Sequence, residues 1–206
     1  MIGNVFNLKI KEQVNVLLCK ESINNEHGKL KTLSDFVSAL IIVHIKYWQF
    51  EDKIEEIDSL STIGKLKQET NSLFKIERPE LIKSIDGIIM ELLKGGKVAE
   101  TQQCSLTLSI SSHINDMKSS NKFDLLYSDT LSELIDKIII IQIRRWYIKG
   151  SLLSNQSNNI SLKLKTIDEE KIPMLVKCLD KLFVLIAIGK VDYAPVNVKF
   201  YNGVNN

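Results

Sequence analysis

Cysteine is scarce in this chain of 206 residues, and long apolar runs are missing. Cys19, Cys104 and Cys178 are odd in number and far apart, which excludes a disulfide framework and a metal-ligand spacing. No apolar run approaches the roughly 18 residues that a bilayer-spanning helix needs. The N-terminal residues do not form a secretion signal. We therefore expect a cytoplasmic protein without a membrane segment.

Net charge is also small, at +2 with 25% charged and 44% apolar residues. This balance is that of an ordinary globular protein, and it gives no electrostatic argument for a nucleic-acid partner. Arginine is rare: the chain has only Arg78, Arg144 and Arg145 among 27 basic residues. Because two of the three adjoin Trp146, this stretch is a candidate binding site.

The signatures of common enzyme classes are missing as well. The sequence has no nucleophile elbow, no phosphate-binding glycine loop, no dinucleotide fingerprint and no cluster of histidine and cysteine. We therefore predict no cofactor, no resident metal and no catalytic residue. The sequence favours a non-catalytic protein over an enzyme.

The sequence does contain a repeated segment. Residues 32–48, "TLSDFVSALIIVHIKYW", align without gaps with residues 130–146, "TLSELIDKIIIIQIRRW". Each copy opens with Thr-Leu-Ser and an acid. Such a start suits a helix N-terminus, because a hydroxyl oxygen accepts from the exposed amides and an acid suits the positive end of the helix dipole. The pattern predicts two long helices with equivalent starts, although Asp129 is an alternative cap for the second.

A weaker correspondence follows each copy, between residues 80–90 and residues 174–184. Both segments have apolar residues three and four positions apart, which is the helical period. Each half of the chain is therefore predicted to form three helices, one short and two long. Residues 104–110 fit either a helix or a strand, because their apolar residues also alternate, and we favour the helix.

These patterns predict an all-α fold. We expect a helical bundle in a single domain, residues 1–206, built from two pseudo-repeated halves of about 1–95 and 104–190. The two halves should meet through the repeated long helices. These helices should bury Ile41, Ile45, Trp48, Ile139, Ile143 and Trp146. Residues 191–206 alternate at strand period and predict a short, extended, non-helical tail.

Proline and small polar residues predict the breaks between helices. Pro79 predicts a helix start or a kink, with Arg78 outside the α region of backbone conformation. Residues 150–161 are rich in serine and asparagine, and they predict a polar loop.

The two tryptophans occupy equivalent positions in the two copies, but their polar neighbours differ. Trp stacks on bases, and Arg binds phosphate through two parallel hydrogen bonds. We therefore predict a pocket between the long helices for a small anionic, phosphorylated or nucleotide ligand. The predicted ligand-binding residues are His44, Tyr47, Trp48, Arg144, Arg145, Trp146 and Lys149.

Two alternative functions stay open at this point. In the first, the polar groups on these helices satisfy one another, and the protein is a structural or protein-interaction module without a ligand. In the second, the protein is a Mg²⁺-dependent all-α nucleotide pyrophosphohydrolase, with Glu51, Asp52 and Glu55 as metal ligands, because hard cations need several oxygen ligands. We do not expect binding of extended nucleic acid, since no basic stripe continues beyond the arginine pair.

The residues around Trp48 also resemble a known family. The stretch "HIKYWQFEDKI", followed by "LKQETNSLFKIERPELIKSIDGII", is similar to an uncharacterised all-helical family of bacteria and phages. Its pattern is a Trp-x-x-Glu-Asp helix followed by a polar helix with Asn and Ile-Asp. The resemblance covers residues 32–92, and the second half lacks the acidic pair after Trp146. It implies a helical fold and no defined activity; by analogy with phage proteins that bind nucleotide messengers, it suggests a sequestering protein.

Assembly is the last expectation. Helical duplications with long apolar helices often leave an apolar face to be covered, so we expect a homodimer.

Overall fold

The structure is a computed structural model that describes residues 2–19, 30–56, 60–93, 104–110, 130–154 and 158–189. Regular structure in these ranges is helical throughout, so the predicted all-α class is confirmed. The elements in chain order are α1 (Ile2–Leu18), α2 (Leu33–Glu56), α3 (Leu60–Ser72), the π-helical turn π1 (Leu73–Glu77), α4 (Arg78–Leu93), a helical stretch at 105–110, α5 (Leu131–Ser154), α6 (Asn158–Thr166), the π-helical turn π2 (Ile167–Lys171) and α7 (Ile172–Ala187).

Both long helices begin in a capping box, as the repeated Thr-Leu-Ser start predicts. At α2 the Thr32 amide donates to Oδ2 of Asp35 at 2.8 Å, and the Asp35 amide donates back to the Thr32 hydroxyl at 3.1 Å. At α5 the Thr130 amide donates to Glu133 at 2.7 Å, and the Glu133 amide donates to the Thr130 hydroxyl at 3.2 Å. This reciprocal bonding satisfies amides that a helix start leaves without an intrahelical partner.

The two π-helical turns share a cause, which is the proline that follows each of them. Pro79 and Pro173 each stand two positions after the last residue of a π turn. The residue before each proline, Arg78 or Ile172, donates its amide to the carbonyl five residues back. Because proline has no amide proton and its ring clashes with the carbonyl four residues earlier, a widened turn accommodates it without breaking the helix.

This geometry corrects the sequence prediction for Arg78. Its backbone lies in the right-handed α region, at φ −58° and ψ −49°, and not outside it. Proline disfavours this conformation in the residue before it but does not exclude it, and here the helix continues through Arg78. Pro79 therefore sits in the first turn of α4, as one of the two sequence predictions had it, within a nearly continuous helical segment.

A second correction concerns residues 150–161, which we predicted to be a polar loop. Helix α5 continues through this stretch to Ser154, and α6 begins again at Asn158. Serine and asparagine are only mildly unfavourable in helices, and the packing of neighbouring turns overrides such preferences. Residues 104–110, by contrast, are helical from 105 onward, as we favoured. The extended tail predicted for 191–206 lies outside the described residues.

Apolar side chains from most of the helices form one large core. Helix α2 packs on α4 and α5 packs on α7, while α1 lies against α5, α7 and α2. The isoleucines predicted to be central are fully buried, namely Ile41, Ile45, Ile139 and Ile143. Each buried isoleucine stabilises the fold by roughly 1.5–3 kcal/mol relative to full exposure.

Trp48 and Trp146, predicted to be buried with these isoleucines, are only half-buried at the edge of the core. The reason is their position along the helices. Residues 51–53 of α2 and residues 149–151 of α5 are exposed, so the tryptophans lie where both helices leave the core.

Helix α1 packs closely on α7 through a glycine. The Gly3 amide donates to Oδ1 of Asp180 at 2.8 Å, which caps the N-terminus of α1. A Cβ atom at Gly3 would lie 2.5 Å from the backbone oxygen of Val176. Only glycine permits this distance between the two backbones.

Element lengths recur between the two halves. Helices α2 and α5 each have 24 residues, π1 and π2 each have five, and α4 and α7 each have 16. The short helices differ, with 13 residues in α3 and nine in α6. The internal duplication stays a prediction, and these equal lengths favour it.

Candidate functional site

A buried carboxylate joins three helices of the bundle. Asp136 of α5 accepts a hydrogen bond from Nε2 of His44 on α2 at 2.6 Å. Arg78, the first residue of α4, donates from Nη2 to Oδ2 at 2.6 Å and from Nε to Oδ1 at 3.2 Å. We call these three residues the Asp136 cluster. Its bonds fix the relative positions of α2, α4 and α5.

Burial makes a charge on the Asp136 cluster costly unless it is paired. The side chains of His44 and Asp136 are each 2% exposed, and that of Arg78 is 28% exposed. Burial alone raises the pKa of the Asp136 carboxyl, but the hydrogen bonds from His44 and Arg78 and the accompanying attraction outweigh it and lower the pKa below 3.8. Asp136 is therefore ionised at neutral pH, because a carboxylate that accepts several hydrogen bonds is stabilised in its charged form.

Aromatic rings enclose the cluster on one side. The Phe74 ring, from π1, lies edge-on to His44 with centroids 5.6 Å apart. The guanidinium of Arg78 lies 5.7 Å from the centre of the same ring, within the range of a cation–π contact. Tyr47 also packs on Phe74, with the two ring centroids 4.2 Å apart. The π1 turn thus places the Phe74 ring against both His44 and Arg78.

A second aromatic group lies where α2 and α5 leave the core. The Trp48 ring stacks on Tyr147 at 5.9 Å, with an angle of 24° between the ring planes. Trp146 meets Tyr147 edge-on at 5.3 Å. All three rings are half-buried. We call Trp48, Trp146 and Tyr147 the ring layer.

Charged side chains surround the ring layer unequally. Arg144 and Lys149 are exposed on α5, whereas Arg145 donates to both carboxylate oxygens of Asp168, at 2.5 and 3.1 Å. On the α2 side, burial and then the charge of Asp52 raise the pKa of the Tyr147 phenol. Burial and then Glu51 likewise raise the pKa of the Tyr47 phenol.

The structure therefore divides the seven predicted ligand-binding residues into three groups. Trp48 and Trp146 come together through Tyr147, with Arg144 and Lys149 exposed on the same helix as Trp146. His44 and Tyr47 lie instead at the Asp136 cluster, where His44 is too buried to touch a ligand. Arg145 faces π2 and is bound to Asp168.

Two of the three acidic residues of the alternative hydrolase prediction have side chains within the described part of the chain. Glu51 and Asp52 are exposed near the end of α2. No group of three or more His, Cys, Asp or Glu side chains within the described ranges is arranged to hold a metal ion. The side chain of Glu55 lies outside the described residues.

Sequence reasoning missed Arg78, Phe74 and Asp168 as partners of the site. Arg78 and Asp136 nevertheless carried a signal. Arg78 is one of only three arginines, and Asp136 interrupts an apolar stripe on α5 at helical spacing, where a charge requires a partner. The pairing itself could not be read, because Arg78 and Asp136 are 58 positions apart.

None of the described helices has the length and the apolar character that a bilayer crossing demands.

Comparison of the chain with protein-family models, with curated proteins and with solved structures finds no match.

Proposed function

We propose that the protein is a non-catalytic binder of a small anionic aromatic ligand, such as a nucleotide, and that the ring layer is its binding surface. The observation that carries this proposal is the position of two exposed cations beside half-buried aromatic rings. Arg144 precedes Tyr147 by three residues, and Lys149 follows Trp146 by three. Side chains three apart on a helix are neighbours, so Tyr147 has Arg144 beside it and Trp146 has Lys149 beside it.

The chemistry of these groups suits a phosphorylated base. The partly exposed tryptophan rings offer apolar surface on which a base can stack, and an exposed arginine binds phosphate oxygens through two parallel hydrogen bonds. Arg144 is better suited to this role than Arg145, because Arg145 would have to leave Asp168. Sequestration of such a ligand, without chemical change, is the activity that follows.

A thermal-shift screen of mono-, di- and cyclic nucleotides, with and without Mg²⁺, tests this proposal. A ligand that binds only the folded state raises its stability by about 2.7 kcal/mol at a hundredfold excess over the dissociation constant. We expect a shift that is lost in Arg144→Ala and kept in Lys177→Ala, which removes an exposed cation on α7. The ligand recovered by chromatography should be intact. Cleaved ligand that depends on Mg²⁺ and on Asp52 would support the hydrolase instead.

A structural or protein-interaction module without a small ligand is the second candidate. The observation that favours it is the use of two of the three arginines, Arg78 and Arg145, in ion pairs between helical segments of the chain. In this case the polar groups on these helices hold the helices together and do not bind a ligand. Absence of any nucleotide-dependent shift, together with an Arg144→Ala protein that unfolds like the wild type, would support this candidate over the ligand binder.

We also propose that the protein forms a homodimer in solution. Six large apolar side chains are exposed on the described helices, namely Leu8, Val16, Ile76, Leu108, Leu162 and Met174. Light scattering at micromolar concentration should give about twice the chain mass of 23.5 kDa. A mass equal to that of one chain would contradict the dimer.

A further inference from the structure

A cavity of about 250 Å³ opens between the start of α2 and the start of α4, away from the ring layer. Its apolar walls come from Leu30, just before α2, from Phe36 and Ala39 of α2, and from Leu81 of α4. At roughly 30 Å³ for each water-sized group, the cavity has room for an aliphatic chain of up to about eight heavy atoms. Part of the cavity volume is open because the side chain of Ala39, which lines it, is small.

Two carboxylates line the same cavity. Glu77 is the last residue of π1, and Glu80 lies in the first turn of α4. Glu77 is half-buried and Glu80 is exposed. An aliphatic chain that enters the cavity therefore meets two negative groups beside its apolar walls.

The basic residues nearest to these glutamates in sequence are Lys75, Arg78 and Lys83. Arg78 binds Asp136, and the side chains of Lys75 and Lys83 are exposed to solvent. Among the described residues, neither Glu77 nor Glu80 takes part in an ion pair. The cavity is thus apolar inside and carries negative charge that no described side chain neutralises.

We propose that this cavity is a second binding site, specific for a small aliphatic amine. The alkyl chain packs against Phe36, Ala39 and Leu81, and the ammonium group donates hydrogen bonds to Glu77 and Glu80. Hydrogen bonds between charged groups are about twice as strong as those between neutral groups, so the carboxylates give the site its preference for a cation. An anionic ligand of the ring layer would be repelled here.

Titration of the full chain with pentylamine, followed by two-dimensional NMR of the backbone amides, tests the site. We expect saturable shifts at Ala39, Leu81 and their neighbours. In the double variant Glu77→Gln/Glu80→Gln the dissociation constant should rise at least about tenfold, whereas Glu91→Gln, an exposed acid further along α4, should leave it unchanged. Both variants alter exposed or half-exposed positions, so both should fold.

A second titration, with 1-pentanol, separates the charge from the apolar walls. Pentanol has the same chain and no positive charge, and it should bind at least about tenfold more weakly than pentylamine. Equal binding of the alcohol and the amine would overturn the proposal, because the cavity would then select for apolar volume alone. Amine-induced shifts that do not saturate at tens of millimolar, or that persist in the double variant, would overturn it as well. Neither result depends on whether the ring layer binds a nucleotide.

Discussion

Asp136 and His44 are bound to each other across 92 positions of sequence, with Nε2 of His44 2.6 Å from Oδ1 of Asp136. In the aligned copies the equivalents of these residues are Ser38 and Gln142. Those two bind α1 instead: Gln13 donates to Ser38 at 2.8 Å, and Gln142 donates to Asn7 at 2.6 Å. Equivalent positions of α2 and α5 therefore have different roles: His44 and Asp136 join the two helices to each other, whereas Ser38 and Gln142 bind α1.

Loss of the Asp136 charge should destabilise the fold strongly. Asp136→Asn leaves Arg78 without its anion and His44 without a charged acceptor, and removal of one partner from a buried pair costs about 3–5 kcal/mol. Urea unfolding followed by circular dichroism measures this change in the free energy of unfolding. The matched control is Asp168→Asn, which breaks the more exposed pair with Arg145 and should cost at most about 1 kcal/mol.

The same variant should change the response to acid. The pKa of Asp136 is lower in the folded state than in the unfolded chain, so its stabilisation is complete above the unfolded pKa of about 3.9. It is lost as pH falls through the folded pKa. Wild-type stability should therefore drop more steeply than that of Asp136→Asn below about pH 4. Equal slopes for the two proteins would contradict an ionised Asp136.

Gly3→Ala should destabilise the protein although alanine is the better helix former. The new Cβ would lie 2.5 Å from the backbone oxygen of Val176, and forced overpacking of this kind costs about 1–3 kcal/mol. Gly64→Ala is the control, because a Cβ atom there meets nothing within 4 Å and alanine should add up to about 1 kcal/mol. Thermal unfolding of both variants should give opposite shifts. A Gly3→Ala protein as stable as the wild type would show that α1 does not approach α7 so closely.

Local chemistry made several parts of the fold predictable from sequence. The capping boxes at Thr32 and Thr130 and the apolar stripes of α2 and α5 depend on residues within a few positions of each other, and these predictions are confirmed. The π turns had a readable signal in Pro79 and Pro173, but proline also ends helices. Only the surrounding packing decides between the two outcomes.

The candidate site was harder to predict, because it depends on partners that are distant in sequence. The position of His44 on α2 could be read, but its acceptor Asp136 could not. Arg145 looked available for a ligand until its distance to Asp168, 23 positions later, was known. Helical periodicity gives the face on which a residue lies, and it does not give the residue that packs opposite.

Two tyrosines should titrate above the ordinary range. Burial, followed by the charge of Glu51 for Tyr47 and of Asp52 for Tyr147, raises both phenol pKa values above 10.0. The native state thus favours the neutral phenols, and this contribution to stability is present below about pH 10 and lost as pH rises above it. Phenolate absorbance during an alkaline titration measures the pKa values. Asp52→Asn should lower the pKa of Tyr147 and leave that of Tyr47, and an unchanged Tyr147 would contradict the proximity of Asp52.

The most direct test of the proposed function is a titration of intrinsic tryptophan fluorescence with nucleotides. The chain has two tryptophans, Trp48 and Trp146, and both belong to the ring layer, so the emission reports on this site alone. We expect saturable quenching by a nucleoside phosphate, with a dissociation constant at least about tenfold higher, or about 1.4 kcal/mol weaker, in Arg144→Ala/Lys149→Ala. Lys177→Ala should behave as the wild type. Quenching that never saturates, or that is unchanged in the double variant, would contradict ligand binding at the ring layer.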